Sequence, residues 1–132
     1  MRKYHDVSGV TADIHRALWQ LGVTTNYRGF YYTAYAVWLC TQEPETLHYI
    51  TKWLYPAVAK RYGTNWQSVE RNIRTVVGVA WRRNPELMCS MAGCALSGRP
   101  ASGKFLSMVA NWVQKPVTAP PVCCGTLAVK QN

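Results

Sequence analysis

Apolar residues recur at intervals of three and four positions along most of the chain, which is the spacing of amphipathic helices. Four of them share one face of the first predicted helix: Ile14, Ala17, Leu18 and Leu21. Thr11 is placed to cap this helix and Gly22 to end it. Further helices are predicted over about residues 27–40, 44–54, 56–62, 65–83, 86–95 and 102–113. No segment alternates as a strand would, so the pattern predicts an all-α fold, a compact domain of about six helices.

Prolines divide the chain into one domain and a tail. Pro44 and Pro56 lie at predicted helix starts, where the missing N–H group is tolerated. After Gln114 the helical spacing is replaced by turn-forming residues and a cysteine pair: Pro116, Pro120, Pro121, Cys123, Cys124 and Gly125. We therefore expect a helical domain over residues 1–113 and a Pro- and Cys-containing tail over residues 114–132.

Residues 56–83 carry the pattern of a helix-turn-helix motif. A short helix is followed by Gly63, which can take the left-handed conformation that ends it, and then by a long helix. Thr64 is placed to cap the long helix, and Gln67 stands three residues later, as in a capping box. Ala59 is small at the point where the two helices would cross.

The long helix has two chemically distinct faces. At about 100° per residue, its apolar residues fall within one arc: Val69, Ile73, Val76, Val77 and Ala80. The opposite side carries polar residues and a glycine: Gln67, Arg71, Arg74, Thr75, Gly78 and Arg82. Because burying an unpaired guanidinium is very costly, Arg71 and Arg74 are expected to face solvent or to be paired.

Positive charge is concentrated on this motif. The chain carries 15 Lys and Arg against 6 Asp and Glu, a formal net charge of +9. Residues 52–83 hold seven of the basic residues and one acidic residue, whereas residues 1–51 hold four of each. Concentrated positive charge on a folded segment is typical of a protein that binds a polyanion, although a solvated basic surface has the same composition.

The outer face of the long helix suits a DNA duplex. The guanidinium of an arginine can donate two hydrogen bonds to N7 and O6 of guanine in the major groove. Arg71 and Arg74 lie one helical turn apart, so both can reach base edges in one groove. Recognition helices meet the bases with their first turn, where Gln67 and Ser68 lie. Phosphate contacts are predicted for basic residues and for the start of the long helix: Arg28, Lys52, Lys60, Arg61, Thr64, Asn65, Arg82 and Arg83. Double-stranded DNA is therefore the predicted partner.

Three strings in and around the motif resemble a known family. They are ITKWLYPAVAKRY at residues 50–62, SVERNIR at 68–74 and VAW at 79–81. Over about residues 10–113 the chain is similar to the C-terminal DNA-binding effector domain of the stage-zero master regulator of sporulation. The resemblance implies an all-helical domain with a helix-turn-helix. It also implies that tandem copies read a short box with a TGTCGAA-like core and activate or repress transcription.

By this resemblance, Glu70, Arg71 and Arg74 match the family's base-reading positions. Thr75 stands where the family has His, and it completes the set of candidate base contacts. The triplet at residues 66–68 also differs from that of the family, so the exact box that this chain prefers is left open.

The chain begins at Met1 directly before the region of resemblance. We therefore expect a stand-alone effector domain without the family's phospho-acceptor receiver, and no Asp is assigned as phosphorylated. RNA polymerase and a second copy of the chain, as a homodimer or as tandem copies on DNA, are further candidate partners. An alternative function is an interaction module that pairs with or antagonises a full-length regulator without reading DNA.

Other classes of function find little support. No catalytic motif or phosphate-binding loop is recognisable, so we expect no enzyme. The cysteines lack the paired spacing of zinc sites, so no metal or other cofactor is expected. The odd number of cysteines favours reduced thiols and a cytoplasmic, nucleoid-associated location, and the apolar stretches are too short for a membrane span. Three cysteines and five tryptophans are predicted to be buried: Cys40, Cys89, Cys94, Trp19, Trp38, Trp53, Trp81 and Trp112. Trp66, at the start of the long helix, is the candidate for exposure.

Overall fold

Residues 2–114 are described by the computed structural model of the chain, with their side chains from residue 9 onward. This part of the chain forms six α-helices: α1 (Arg2–Gln20), α2 (Arg28–Gln42), α3 (Tyr55–Tyr62), α4 (Trp66–Arg83), α5 (Pro85–Ala92) and α6 (Ser102–Gln114). A 3-10 helix (Pro44–His48) and a π-helical turn (Ile50–Leu54) connect α2 to α3. None of these residues forms a strand, so the predicted all-α class is confirmed. The predicted tail lies outside the described residues beyond Gln114.

Helix α1 is longer than the sequence pattern predicted. It starts at Arg2, so Thr11 lies inside the helix and is not its N-cap. The apolar spacing marks only the stretch that packs against the domain, in which Ile14 and Leu18 are fully buried. The end of the helix was predicted correctly, because Gly22 follows its last turn with a φ of 95°.

The segment between α2 and α3 departs from the single helix that was predicted. Tyr49 has φ −135° and ψ 53°, which interrupts the helical backbone after the 3-10 helix. The N–H groups of Trp53 and Leu54 then both donate to the carbonyl oxygen of Tyr49, at 2.7 and 3.2 Å. Pro56 lies in the first turn of α3, as predicted.

Helices α2 and α4 form the centre of the domain. Helix α2 packs against both α4 and α6, α1 packs against α2 and α6, and α3 packs against α4. At Gly29 the backbone of α2 comes so close to α4 that a Cβ would lie 2.4 Å from the carbonyl oxygen of Asn72. Large apolar side chains from these helices, from α5 and from the π-helical turn are fully buried: Phe30, Leu54, Ile73, Met88, Phe105 and Leu106.

Two of the five tryptophans predicted in the core lie on the surface. Three are half-buried against the core: Trp38, Trp81 and Trp112. Trp19 is 58% exposed and Trp53 is 54% exposed. Trp19 follows the buried Leu18 by one position and therefore points about 100° away from it. The ring of Trp53 packs instead on that of Tyr49, with the centroids 4.5 Å apart.

The three described cysteines differ from one another. Cys40 is free and buried, as predicted, and burial raises the pKa of its thiol to about 11 against the opposing effect of a hydrogen bond from Thr46. Cys94 is free but exposed, which contradicts the prediction, because it follows Gly93 at the end of α5. Cys89 is buried, as predicted, but it takes part in a disulfide rather than being a reduced thiol.

Candidate nucleic-acid interface

Helices α3 and α4 are joined by a tight turn at residues 63–65. Gly63 adopts φ 67° and ψ 39°, a left-handed conformation that a residue without a Cβ enters at no steric cost. The N–H groups of Gly63 and Thr64 both donate to the carbonyl oxygen of Ala59, which closes the end of α3. Ala59 is buried, and α3 packs on α4. The predicted helix-turn-helix is therefore present in α3 and α4.

The cap of α4 is one residue later than predicted. Asn65 precedes the first helical residue, and its Oδ1 accepts a hydrogen bond from the N–H of Ser68 at 2.8 Å. The predicted capping box between Thr64 and Gln67 is therefore wrong, because Thr64 belongs to the turn that closes α3 and the cap position falls to Asn65. Gln67 is exposed in the first turn of α4, and Trp66 is 39% exposed, as predicted.

The two faces of α4 lie where the periodicity placed them, with one exception. The predicted core residues are all buried: Val69, Ile73, Val76, Val77 and Ala80. The polar residues predicted on the outer face are exposed: Gln67, Arg71, Arg74, Thr75 and Arg82. Ser68 and Glu70 are half-buried between the two faces. Gly78 was predicted on the outer face but is buried, because a side chain from another part of the chain covers it.

Arg71 and Arg74 both reach solvent, and Arg74 is paired with a carboxylate of its own helix. The Nη2 atom of Arg74 lies 2.9 Å from Oε1 of Glu70, and the two side chains are 53% and 35% exposed. An exposed pair of this kind contributes only about 0.3–0.5 kcal/mol, so a competing ligand displaces it at little cost. The side chain of Arg71 makes no hydrogen bond or ion pair with the residues that the structure describes. Thr75 donates its hydroxyl to the carbonyl oxygen of Arg71 at 3.1 Å.

A residue that the sequence did not single out completes the outer face. Arg99, in the loop between α5 and α6, donates from Nη2 to the carbonyl oxygen of Arg74 at 3.3 Å. It helps to enclose a shallow depression of about 400 Å³ lined by Arg71, Arg74, Thr75, Gly78, Arg82 and Arg99. Four guanidiniums therefore surround one concavity. The sequence could not predict this contact, because Arg99 lies in a loop and helical periodicity gives no information about where a loop residue packs.

The turn of the helix-turn-helix borders a second depression. Its volume is about 410 Å³, and it is lined by Arg28, Tyr31, Tyr32, Tyr62, Gly63 and Thr64. Two of the predicted phosphate contacts, Arg28 and Thr64, are thereby brought together although they are far apart in the sequence. Burial raises the pKa of Tyr62 above its ordinary value, against the opposing effect of Arg61. The shift is away from neutral pH, so the phenol stays protonated there, as tyrosine ordinarily is, and can donate a hydrogen bond.

The remaining predicted phosphate contacts lie at several places on the surface. Lys60 and Arg61 are exposed on α3, and the guanidinium of Arg61 lies 5.7 Å from the ring of Tyr35. Lys52 is exposed on the π-helical turn, outside both depressions. Arg83 donates to the carbonyl oxygen of Gly22 at 3.1 Å, so its guanidinium is held at the turn between α1 and α2. Of the predicted phosphate contacts, the structure therefore brings Arg28, Thr64 and Arg82 into the two depressions, whereas five others line neither: Lys52, Lys60, Arg61, Asn65 and Arg83.

Neither a cluster of metal ligands nor a membrane-spanning helix is found in the part of the chain that the structure describes. Within them, no group of three or more His, Cys, Asp or Glu side chains is arranged to hold a metal ion. None of the helices in residues 2–114 combines the length and the apolar character needed to cross a membrane. The arrangement can bind anions and hydrogen-bond acceptors through its guanidiniums.

Comparison with known families bears on most of the chain. Residues 14–113 match the family described as sporulation initiation factor Spo0A C terminal. The matched range covers about three quarters of the 132 residues and includes α3, α4 and the loop that carries Arg99. This is a family of DNA-binding effector domains of transcription regulators and not a family of enzymes.

Proposed function

Because this chain belongs to the family of Spo0A C-terminal DNA-binding domains, we propose that it regulates transcription by reading a specific DNA sequence with α4. The outer face of α4 enters the major groove in this proposal. The base contacts come from residues on that face and at its edges: Gln67, Ser68, Glu70, Arg71, Arg74 and Thr75.

One observation carries the proposal. The core face of α4 is anchored by side chains that are fully buried, among them Val69, Ile73 and Val76, while its opposite face presents Arg71 and Arg74 to solvent. Because the backbone of α4 is already held by its buried face, docking into a groove costs little backbone conformational entropy. The side chain of Arg71 is ready to form a bidentate contact with guanine, worth about 1–3 kcal/mol of discrimination.

The surrounding basic residues support docking on the backbone. Arg28 and Thr64 lie together beside the turn, and Lys60 and Arg61 are exposed on α3. Such contacts supply affinity and register, but they carry no information about base sequence. Glu70 restrains Arg74 at 2.9 Å in this structure, and we propose that the carboxylate releases Arg74, or contacts a base itself, in the complex.

The test compares two variants on two duplexes. Binding of a duplex with the TGTCGAA-like box and of a scrambled duplex is measured by mobility shift at two salt concentrations. Arg71→Ala is expected to reduce the preference for the box by about 1–3 kcal/mol, whereas Lys60→Ala weakens binding to both duplexes alike. Arg16→Ala, which removes one exposed guanidinium from α1, is the control for net charge.

Two outcomes would count against base reading. If Arg71→Ala and Lys60→Ala each lose the same affinity for both duplexes, the surface binds DNA without reading its sequence. Negligible binding of any duplex, with capture of a receiver-containing regulator instead, would favour the interaction module. We further propose that a second copy on neighbouring boxes and RNA polymerase are its partners on DNA, which footprinting and transcription in vitro would test.

A further inference from the structure

Arg99 lies across the outer face of α4 at Gly78. It comes from the loop between α5 and α6, and its Nη2 donates to the carbonyl oxygen of Arg74 at 3.3 Å, which places its guanidinium against the helix. Glycine at position 78 leaves room for this placement of the guanidinium, since a Cβ there would lie 2.8 Å from Nη1 of Arg99. Arg99 therefore forms part of the surface of α4 although it belongs to another segment.

A second guanidinium reaches the same point. A Cβ on Gly78 would lie 2.8 Å from Nη1 of Arg99 and 3.5 Å from Nη1 of Arg82, so these two atoms are no more than 6.3 Å apart. Like charges at this separation repel, because it is shorter than the Debye length of about 8 Å at physiological salt. Among the residues that the structure describes, no carboxylate pairs with either guanidinium, and Glu70 is bound to Arg74.

We propose that Arg82 and Arg99 together bind one phosphodiester group of the DNA backbone. The inference rests on the proposed function and adds to it a phosphate site built from two segments around Gly78. A phosphate between the two guanidiniums relieves their repulsion, and its oxygens accept hydrogen bonds from the N–H groups of both. Since Arg99 occupies the outer face at Gly78, contacts with bases are confined to the part of α4 that precedes this glycine.

Two variants separate the position of Arg99 from its charge. Gly78→Ala displaces the guanidinium of Arg99 while every charge in the protein is kept. The variant is expected to fold, because the group that must move is the end of a flexible side chain and alanine favours a helix more than glycine does. Its matched control is Gly9→Ala in α1, where the described part of the chain places no atom within 4 Å of the added methyl. Arg99→Ala removes the guanidinium itself, and Arg16→Ala is its control for charge.

Binding of the box duplex and of a scrambled duplex is measured by fluorescence anisotropy from about 50 to 200 mM salt. Gly78→Ala and Arg99→Ala are each expected to weaken binding to both duplexes by about tenfold at the lower salt, as for the loss of one charge-assisted contact. The slope of log K against log salt should fall by about 0.9, the value for one phosphate. The preference for the box is retained. Unchanged affinity and slope in both variants would overturn the inference, and so would a loss of box preference.

A failure of the proposed function is distinguishable from a failure of this site. If the wild-type protein binds the box no better than the scrambled duplex, base reading is wrong, whereas the phosphate site still has its own measurement. Inorganic phosphate is titrated into the protein while the side-chain N–H signals of its arginines are followed by NMR. The signals of Arg82 and Arg99 are expected to shift at lower phosphate concentrations than that of Arg16, and equal shifts would refute the site.

Discussion

Replacing Gly29 with alanine is expected to push α2 away from α4. An added Cβ would lie 2.4 Å from the carbonyl oxygen and 2.9 Å from the carbonyl carbon of Asn72, and 2.7 Å from Cγ2 of Val76. Two of these three atoms belong to the backbone of α4, so they have no rotamer that moves them away. The clash is therefore relieved only if the two central helices separate.

The magnitude follows from the kind of atoms that collide. Adding a methyl group to a packed interior costs about 1–3 kcal/mol, and the rigid backbone places Gly29→Ala near the upper end. The greater helix propensity of alanine offsets roughly 0.5–1 kcal/mol of this cost. A net loss of about 2 kcal/mol in the free energy of unfolding corresponds, for a domain of this size, to a melting temperature lower by roughly 6–10 °C.

The assay is thermal and urea denaturation followed by circular dichroism. The control is Gly9→Ala, also in a helix but with no atom of the described residues within 4 Å of the added methyl, and it should leave the melting temperature unchanged or raise it. A melting temperature of Gly29→Ala within about 2 °C of the wild type would refute the tight contact between α2 and α4.

Two further predictions concern the cap of α4 and the response to pH. Asn65→Ala should lower the free energy of unfolding by about 1 kcal/mol, because the hydrogen bond from the N–H of Ser68 is lost. Thr64→Ala should lower it by much less. Urea denaturation measures both, and equal losses would contradict the assignment of Asn65 as the cap. Burial lowers the pKa of His15 below its ordinary value of 6.5, so the folded state favours the neutral ring. Stability should therefore fall as the pH drops from about 6.5 through the lowered pKa, and His15→Gln should remove this loss; an equal loss in the variant would assign it to other groups.

The candidate site was predicted as far as it depends on a single helix. Val69, Ile73 and Val76 are buried and Arg71 and Arg74 face solvent, because an angle of about 100° per residue fixes which side chains share a face. The start of α4 was misplaced by one residue, since Thr64 and Asn65 are both good capping residues and only the backbone geometry of the turn selects one of them.

What the sequence by itself determined about this protein is local. It specified the all-α class, the turn at Gly63 and the polarity of α4, because each of these depends on residues within one or two helical turns. The approach of Arg99 to Gly78 and the presence of Arg28 and Thr64 in one depression were decided only by the tertiary structure. The residues of each pair come from separate segments, and the distance between them is set by how all the helices pack around the core. The periodicity within one segment cannot predict that distance.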